Sequence, residues 1–307
     1  IPQRGKKEKG VGDIIRRMQN VFEVLEWNKV VGMLLPLCRT EQGKKRASGL
    51  SFLPKGELEK EKKFLEEASY CLSLHGNLPL DVSSDLTQDV KMAAKGYTLS
   101  AETLEKVAHD VLTGNEVKSF LSKAEGVPHL SAYAEKIPDL SVLEKDIHKV
   151  LAPDLSIFDN ASPELKRIHI AIARLEKDMV AKLGYVLEQN KVYLSDTTLT
   201  LRNGHYVLPV SNAYKSKVKG IVQDISSSGN TTFVEPELLV SLNNKMAELK
   251  NKERQEIARL LGMLSKEVGG AGDSFLQLNS ALGYLDFLQG KALLGAKMKG
   301  HLAQESN

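Results

Sequence analysis

Cysteine is nearly missing from this chain. Two in 307 residues, Cys38 and Cys71, cannot build a disulfide framework or a zinc site. They are expected as buried free thiols in a reducing, cytoplasmic compartment. Long apolar runs are missing too. The longest, "VVGMLLPLC", is broken by Pro36 and is far too short to span a bilayer, so no membrane partner is expected. An excess of one charge is also lacking. Forty-two Lys and Arg against 39 Asp and Glu leave +3, which is too weak to demand a polyanionic partner and compatible with one. There is no G-x-x-x-x-G-K-[ST], G-x-S-x-G, H-E-x-x-H or paired C-x-x-C, and therefore no phosphate loop, serine-hydrolase elbow or zinc motif. The seven histidines (75, 109, 129, 148, 169, 205 and 301) share no ligand spacing and are expected as solvated or core side chains. No catalytic residue, metal site or cofactor site is assigned to this stretch.

Helix formers fill the space those absences leave. Aromatics are only 6%, and Ala, Leu, Glu and Lys dominate. Residues 1–20 are basic and lack the apolar core of a signal peptide; they read as a solvated tail or an expression remnant. Residues 21–160 read as short helices punctuated by Gly76, Gly96, Gly126, Pro128 and Pro138, with Ser100 as an N-cap. This is a helical core domain. At 161–190 the pattern changes. Ser162 and Pro163 suit the N-cap and first helical position. Leu165, Ile168, Ile172, Leu175, Met179, Leu183 and Val186 then follow at spacings of three and four. A second stripe, Leu239, Leu242, Met246, Leu249, Ile257, Leu260, Leu264 and Val268, runs through 236–268, with Glu253 interrupting it. "GGAG" at 269–272 marks a stop, and a last apolar helix occupies 269–300.

Between the stripes, 191–235 reads as β structure. "TLTLR" turns at Asn203-Gly204 into "HYVLPV", a strong hairpin signal. "KSKVKGIVQDI" alternates like a strand, and "SSSGN" leads to "TTFVE". The predicted fold is mainly α: a helical core, and two long antiparallel helices carrying a small sheet at their tip. Such an arm reaches outward and is a poor place to bury an active site. On a strand Lys215, Lys217 and Lys219 share one face. With Arg202 and His205 of the hairpin they form a surface for a phosphate backbone or, equally, the solvated face of a small sheet. Residues 162–268 carry sixteen Lys and Arg against twelve Asp and Glu, which favours nucleic acid. "SSSGN" reads either as a nest of N–H groups for an anion or as a tight loop.

"ASPELKRI" and "LTLRNGHYVLPVSNAYKSKVKGIVQDISSSGNTTFVEPELLVSLNN" resemble the MutS family. They look most like its second bacterial paralogue, the Smr-domain subfamily that suppresses recombination and lacks the mismatch-reading domain. The likeness runs from about Leu25 to residue 296. It implies that the helical region is the core, the long helices are levers and the β unit is a clamp. Lys215, Lys217, Lys219 and Arg202 would touch phosphates, His205 would lie beside them, and Ser227, Ser228 and Asn230 would add neutral hydrogen bonds. His205 stands where the family pattern "NGRYVIPV" has arginine, and Gln223 where "HDxSxSG" has histidine. "FLE" at 64–66 matches the Phe-x-Glu of mismatch readers but lies mid-helix in a charged repeat. The resemblance further implies a longer homodimeric protein with an ATPase domain using ATP and Mg²⁺ and a Smr nuclease domain, neither present here, so this stretch should hydrolyse nothing. The implied partner is branched or duplex DNA; the alternatives are stalled or collided ribosomes and their rRNA, or a coiled-coil oligomerisation module.

Overall fold

The computed structural model describes residues 21, 23–198 and 200–302. The basic stretch 1–20 lies outside the described residues. In chain order the described helices are α1 (Trp27–Leu34), α2 (Glu41–Ser48), α3 (Lys55–Leu74), α4 (Thr87–Ala94), α5 (Ala101–Lys123), α6 (Pro128–Ala134), α7 (Ser141–His148), α8 (Pro163–Asn190), α9 (Glu237–Gly270) and α10 (Gly272–Met298). The strands β1 (Thr200–Arg202), β2 (His205–Ser211), β3 (Gly220–Ile225) and β4 (Thr231–Pro236) fall between α8 and α9. No described helix is long and apolar enough to cross a membrane. The chain divides into two compact units: one runs to His148 and resumes at Leu264, and the other is Lys149–Met263.

The first unit is helical. Ser100 caps α5 by accepting from the Thr103 N–H, which satisfies one of the donors that every helix start leaves open. α10 has buried residues on every side, from Phe275 through Leu285 and Leu288 to Leu294, so it is a core helix and carries no amphipathic stripe. Its one buried aspartate, Asp286, accepts from the N–H groups of Arg39 and Thr40 and from the Thr40 hydroxyl. Thr40 in turn caps α2. Cys38 and Cys71 are buried and unpaired. Burial, with help from Asp286, pushes the Cys38 thiol up to about 12, so it is inert as a nucleophile. Phe64, half-buried, packs edge-on against Tyr133 and Tyr284, a packing role for the Phe of "FLE".

The second unit is built on α8. Ser162 accepts from the Leu165 N–H, Pro163 opens the helix, and the buried residues are Leu165, Ile168, Ile172, Leu175, Met179, Leu183 and Val186. These are the seven residues of the first stripe. Five of them pack with Leu239 and Met246 of α9, with Leu242 and Leu249 alongside. The helices are antiparallel: Leu183 joins Leu239 in one cluster, while at the other end Ser162 donates to Glu256 at 2.6 Å and His169 meets Glu253 at 2.9 Å. Glu253, the break in the stripe, is tolerated because His169 and Lys250 both hold its carboxylate. Twenty-eight residues give α8 a length of about 42 Å at ~1.5 Å per residue.

The sheet has the order β1-β2-β4-β3, and every neighbouring pair is antiparallel. β1 and β2 are joined by Asn203 at φ 52° and Gly204 at φ 82°, the left-handed pair that a two-residue primed turn requires. Gly220 opens β3 opposite Pro236. A Cβ there would strike the Glu235 carbonyl, so only glycine lets the two strands close.

Candidate nucleic-acid interface

The lysine segment is not a strand. Strand β3 begins only at Gly220. Residues Asn212–Tyr214 form one turn of 3-10 helix, and Lys215, Lys217 and Lys219 follow in turn and coil. The reason lies in the sheet order. β4 sits between β2 and β3, so β2 and β3 run parallel and need a crossover. Residues 212–219 are that crossover. It starts at the β2 end, where the Asn212 N–H donates to the Asn230 carbonyl. It finishes at the far end of β4, where the Glu237 N–H donates to the Lys219 carbonyl.

Val218 anchors the crossover. It is buried with Val186, Leu208, Val210 and Val234, while Lys217 and Lys219 on either side are exposed, as is Lys215. Among the described residues no carboxylate lies within ion-pair distance of these three ammonium groups. Several other cations of the same unit are paired, among them Lys191 with Glu188, Lys252 with Glu248 and Arg259 with Glu256.

Arg202 and His205 are cross-strand partners and point to one face of the sheet. That face has its own acids. Arg202 lies 3.3 Å from Asp224, with its guanidinium 4.2 Å over the Phe233 ring. His205 Nδ1 lies 3.0 Å from the Glu235 carboxylate. The surface expected to combine Arg202 and His205 with three lysines on one strand face is therefore replaced by two separate groups: a crossover with unpaired lysines, and a sheet face in which both basic residues are engaged.

Glu235 is the buried centre of that face, with its side chain 1% exposed. Burial alone would push its carboxyl up, but hydrogen bonds donated by Asn243, His205 and Gln223 outweigh that and hold it below the usual glutamate range. Asn243 also bonds the Tyr206 N–H and carbonyl, tying α9 to β2. Sequence reasoning missed Glu235 and Asn243. The available signals were a glutamate in an otherwise uncharged strand and an asparagine one residue beyond Leu242 in the stripe.

Ser227, Ser228 and Asn230 are exposed in the β3–β4 loop. The Gly229 N–H donates to the Ser226 carbonyl, and the Ser226 N–H to the Thr231 carbonyl, so the loop is held as a tight turn. It is separated from Lys219 by the length of β4, roughly 17 Å at ~3.4 Å per residue. Beside Lys217 and Lys219, where α8 ends and α9 begins, an open cleft of about 350 Å³ is lined by Tyr185, Gln189, Pro236, Glu237 and Leu238. The helical spacing of α8 marks its apolar stripe and gives no sign of this cleft.

No protein-family model matches the chain. It is 33% identical over 287 residues to Endonuclease MutS2 of Brevibacillus brevis, covering 92% of this chain and 37% of that protein. It is 35% identical over 292 residues to Endonuclease MutS2 of Shouchella clausii, with 92% and 37% covered. Against Endonuclease MutS2 of Bacillus mycoides it is 33% identical over 291 residues, again covering 92% and 37%. The chain spans about 37% of the length of these curated relatives. Helical unit, paired helices, interposed sheet and these similarities agree with the resemblance in the residues: the chain belongs to the MutS2 family.

Proposed function

We propose that the α8–sheet–α9 unit is the lever and clamp of a MutS2-type protein, and that it grips the phosphate backbone of nucleic acid, with branched or joint DNA as the preferred form. The observation that carries this reading is the crossover Asn212–Lys219: three exposed lysines, none of them neutralised among the described residues, held outward by the buried Val218. Phosphate contacts position a protein without reading bases, which suits selection by DNA shape. Ser227, Ser228 and Asn230 serve as neutral contacts at the far end of the same sheet. Arg202 and His205 act through the sheet, as supports of its face. In the longer protein, suppression of recombination would follow from closing two such clamps of a homodimer on joint DNA. That closure is assigned to an ATPase domain binding ATP and Mg²⁺, and any cleavage to a Smr domain.

The test is binding of this chain to a labelled four-way junction and a matched linear duplex over a salt series. A junction preference that weakens steeply with salt is expected. The triple charge reversal K215E/K217E/K219E should flatten the log–log salt slope by roughly 0.9 for each phosphate that is no longer neutralised. An unchanged slope overturns the lysine assignment. Binding to purified ribosomes but to neither DNA would replace DNA by a ribosomal partner.

A further inference from the structure

The lysines of the crossover account for backbone contact. They leave unexplained the cleft beside them. Its floor is apolar: Val186 and Val218 are buried there, and Pro236 closes it. One wall carries Tyr185, an aromatic side chain 61% exposed on the last turns of α8. Leu238, 57% exposed at the start of α9, lines the cleft as well. Lys217 and Lys219 stand at the rim. Tyr185 and Leu238 thus leave apolar surface open to solvent beside the exposed lysines, over a buried apolar floor.

Resting on the nucleic-acid reading above, we propose that this cleft receives one unpaired nucleobase, stacked on Tyr185, while Lys217 and Lys219 hold the flanking phosphates. The sizes agree. About 350 Å³ is room enough for a base, and only an unpaired, unstacked base can offer its face to the Tyr185 ring. The chemistry agrees as well. A base has a π face for a tyrosine ring whatever its identity. Its edge meets the Gln189 amide and the Glu237 carboxylate, both in the cleft lining, and Glu237 can accept from an exocyclic amino group or, in thymine, from the ring N3–H. Glu237 also sets a limit. Its charge opposes a phosphate inside the cleft, so the phosphates stay at the lysine rim and the base goes inward. The ligand class is thus a strand with unpaired nucleotides, as found at a junction, a gap or a single-stranded tail. This supplies a physical reason for a preference for branched over perfect duplex nucleic acid.

The experiment compares binding of the wild-type chain, Y185A, Y185F and K217E/K219E to three labelled probes of equal length: an oligothymidine strand, a strand of abasic sites with the same phosphates, and a perfect duplex. Wild type and Y185F should bind oligothymidine about tenfold more tightly than the abasic strand, the scale of one base stacked on an aromatic ring. Y185A should lose that ratio and keep its duplex affinity. K217E/K219E should weaken binding to all three probes. If Y185A leaves the ratio unchanged while the lysine variant weakens binding, the base cleft is overturned and the backbone reading stands. If the lysine variant changes nothing, the backbone reading fails and the cleft falls with it. Tyr185 is exposed, so its replacement does not threaten the fold.

Discussion

His205 Nδ1 lies 3.0 Å from the carboxylate of Glu235, and this contact joins the β1–β2 hairpin to a strand end on which α9 also depends. Glu235 receives three donors: His205 from β2, Gln223 from the β3 bulge and Asn243 from α9. One buried acid therefore ties strands β2, β3 and β4 to helix α9.

Glu235→Ala should loosen that junction. It removes the Glu235 acceptor from one Asn243 N–H, whose other N–H keeps the Tyr206 carbonyl, and from the half-buried Gln223 amide, at about 1–3 kcal/mol for a buried group left unsatisfied. The amide of Tyr206, bonded to Asn243 Oδ1, should then exchange hydrogen at least tenfold faster. Protection of that amide equal to wild type would show that the network does not hold the sheet to the helix.

Leu175→Ala should destabilise the helix pair by about 2–5 kcal/mol. Leu175 is buried in the cluster shared by α8 and α9. Chemical denaturation followed by circular dichroism measures the loss. Under conditions where L175A stays folded, backbone binding should be retained while K215E/K217E/K219E loses it; the reverse pattern would favour a coiled-coil assembly module.

Glu256 gives the second unit an acid-side dependence. The hydrogen bonds from Arg259, with that of Ser162, outweigh burial and lower its carboxyl from 4.5 to about 2. A depressed folded pKa contributes stability that is present above the ordinary glutamate value and is lost as pH falls towards 2. The thermal midpoint of wild type should fall between pH 5 and pH 3 (roughly the window in which the unfolded carboxyl takes up its proton). Glu256→Gln should fall less over the same range. Equal slopes for the two proteins would contradict the assignment.

Asp110 works in the opposite sense in the first unit. It is 2% exposed, and burial pushes its carboxyl up to about 7. Among the described residues its Oδ2 and the Asn279 Oδ1 have no hydrogen-bond partner. A raised folded pKa contributes stability that is complete below the unfolded value and is lost as pH rises through about 7. Asp110→Asn should melt higher than wild type at about pH 8 and show a smaller difference at about pH 5. A pH-independent difference would refute a titrating Asp110.

What the amino-acid sequence determined by itself are the features that close within a few residues. Asn203-Gly204 makes its turn because both must take positive φ, a property of those two residues alone. Ser100 and Ser162 cap their helices because the donor they satisfy is three residues away. The α8 stripe was readable because helical geometry brings every third or fourth side chain to one face. Tertiary structure decided the rest of the candidate site. Lys215, Lys217 and Lys219 alternate like a strand, but the sheet places β4 between β2 and β3, and strand order is a non-local choice that spacing does not encode. The segment must then cross over, Val218 becomes its anchor, and the lysines turn to solvent. Glu235 meets His205 across 30 positions of chain, and Tyr185 comes beside Lys217 only when the end of α8 meets the crossover. Burial and proximity are settled by packing, and packing brings together residues whose separation along the chain carries no periodic signal.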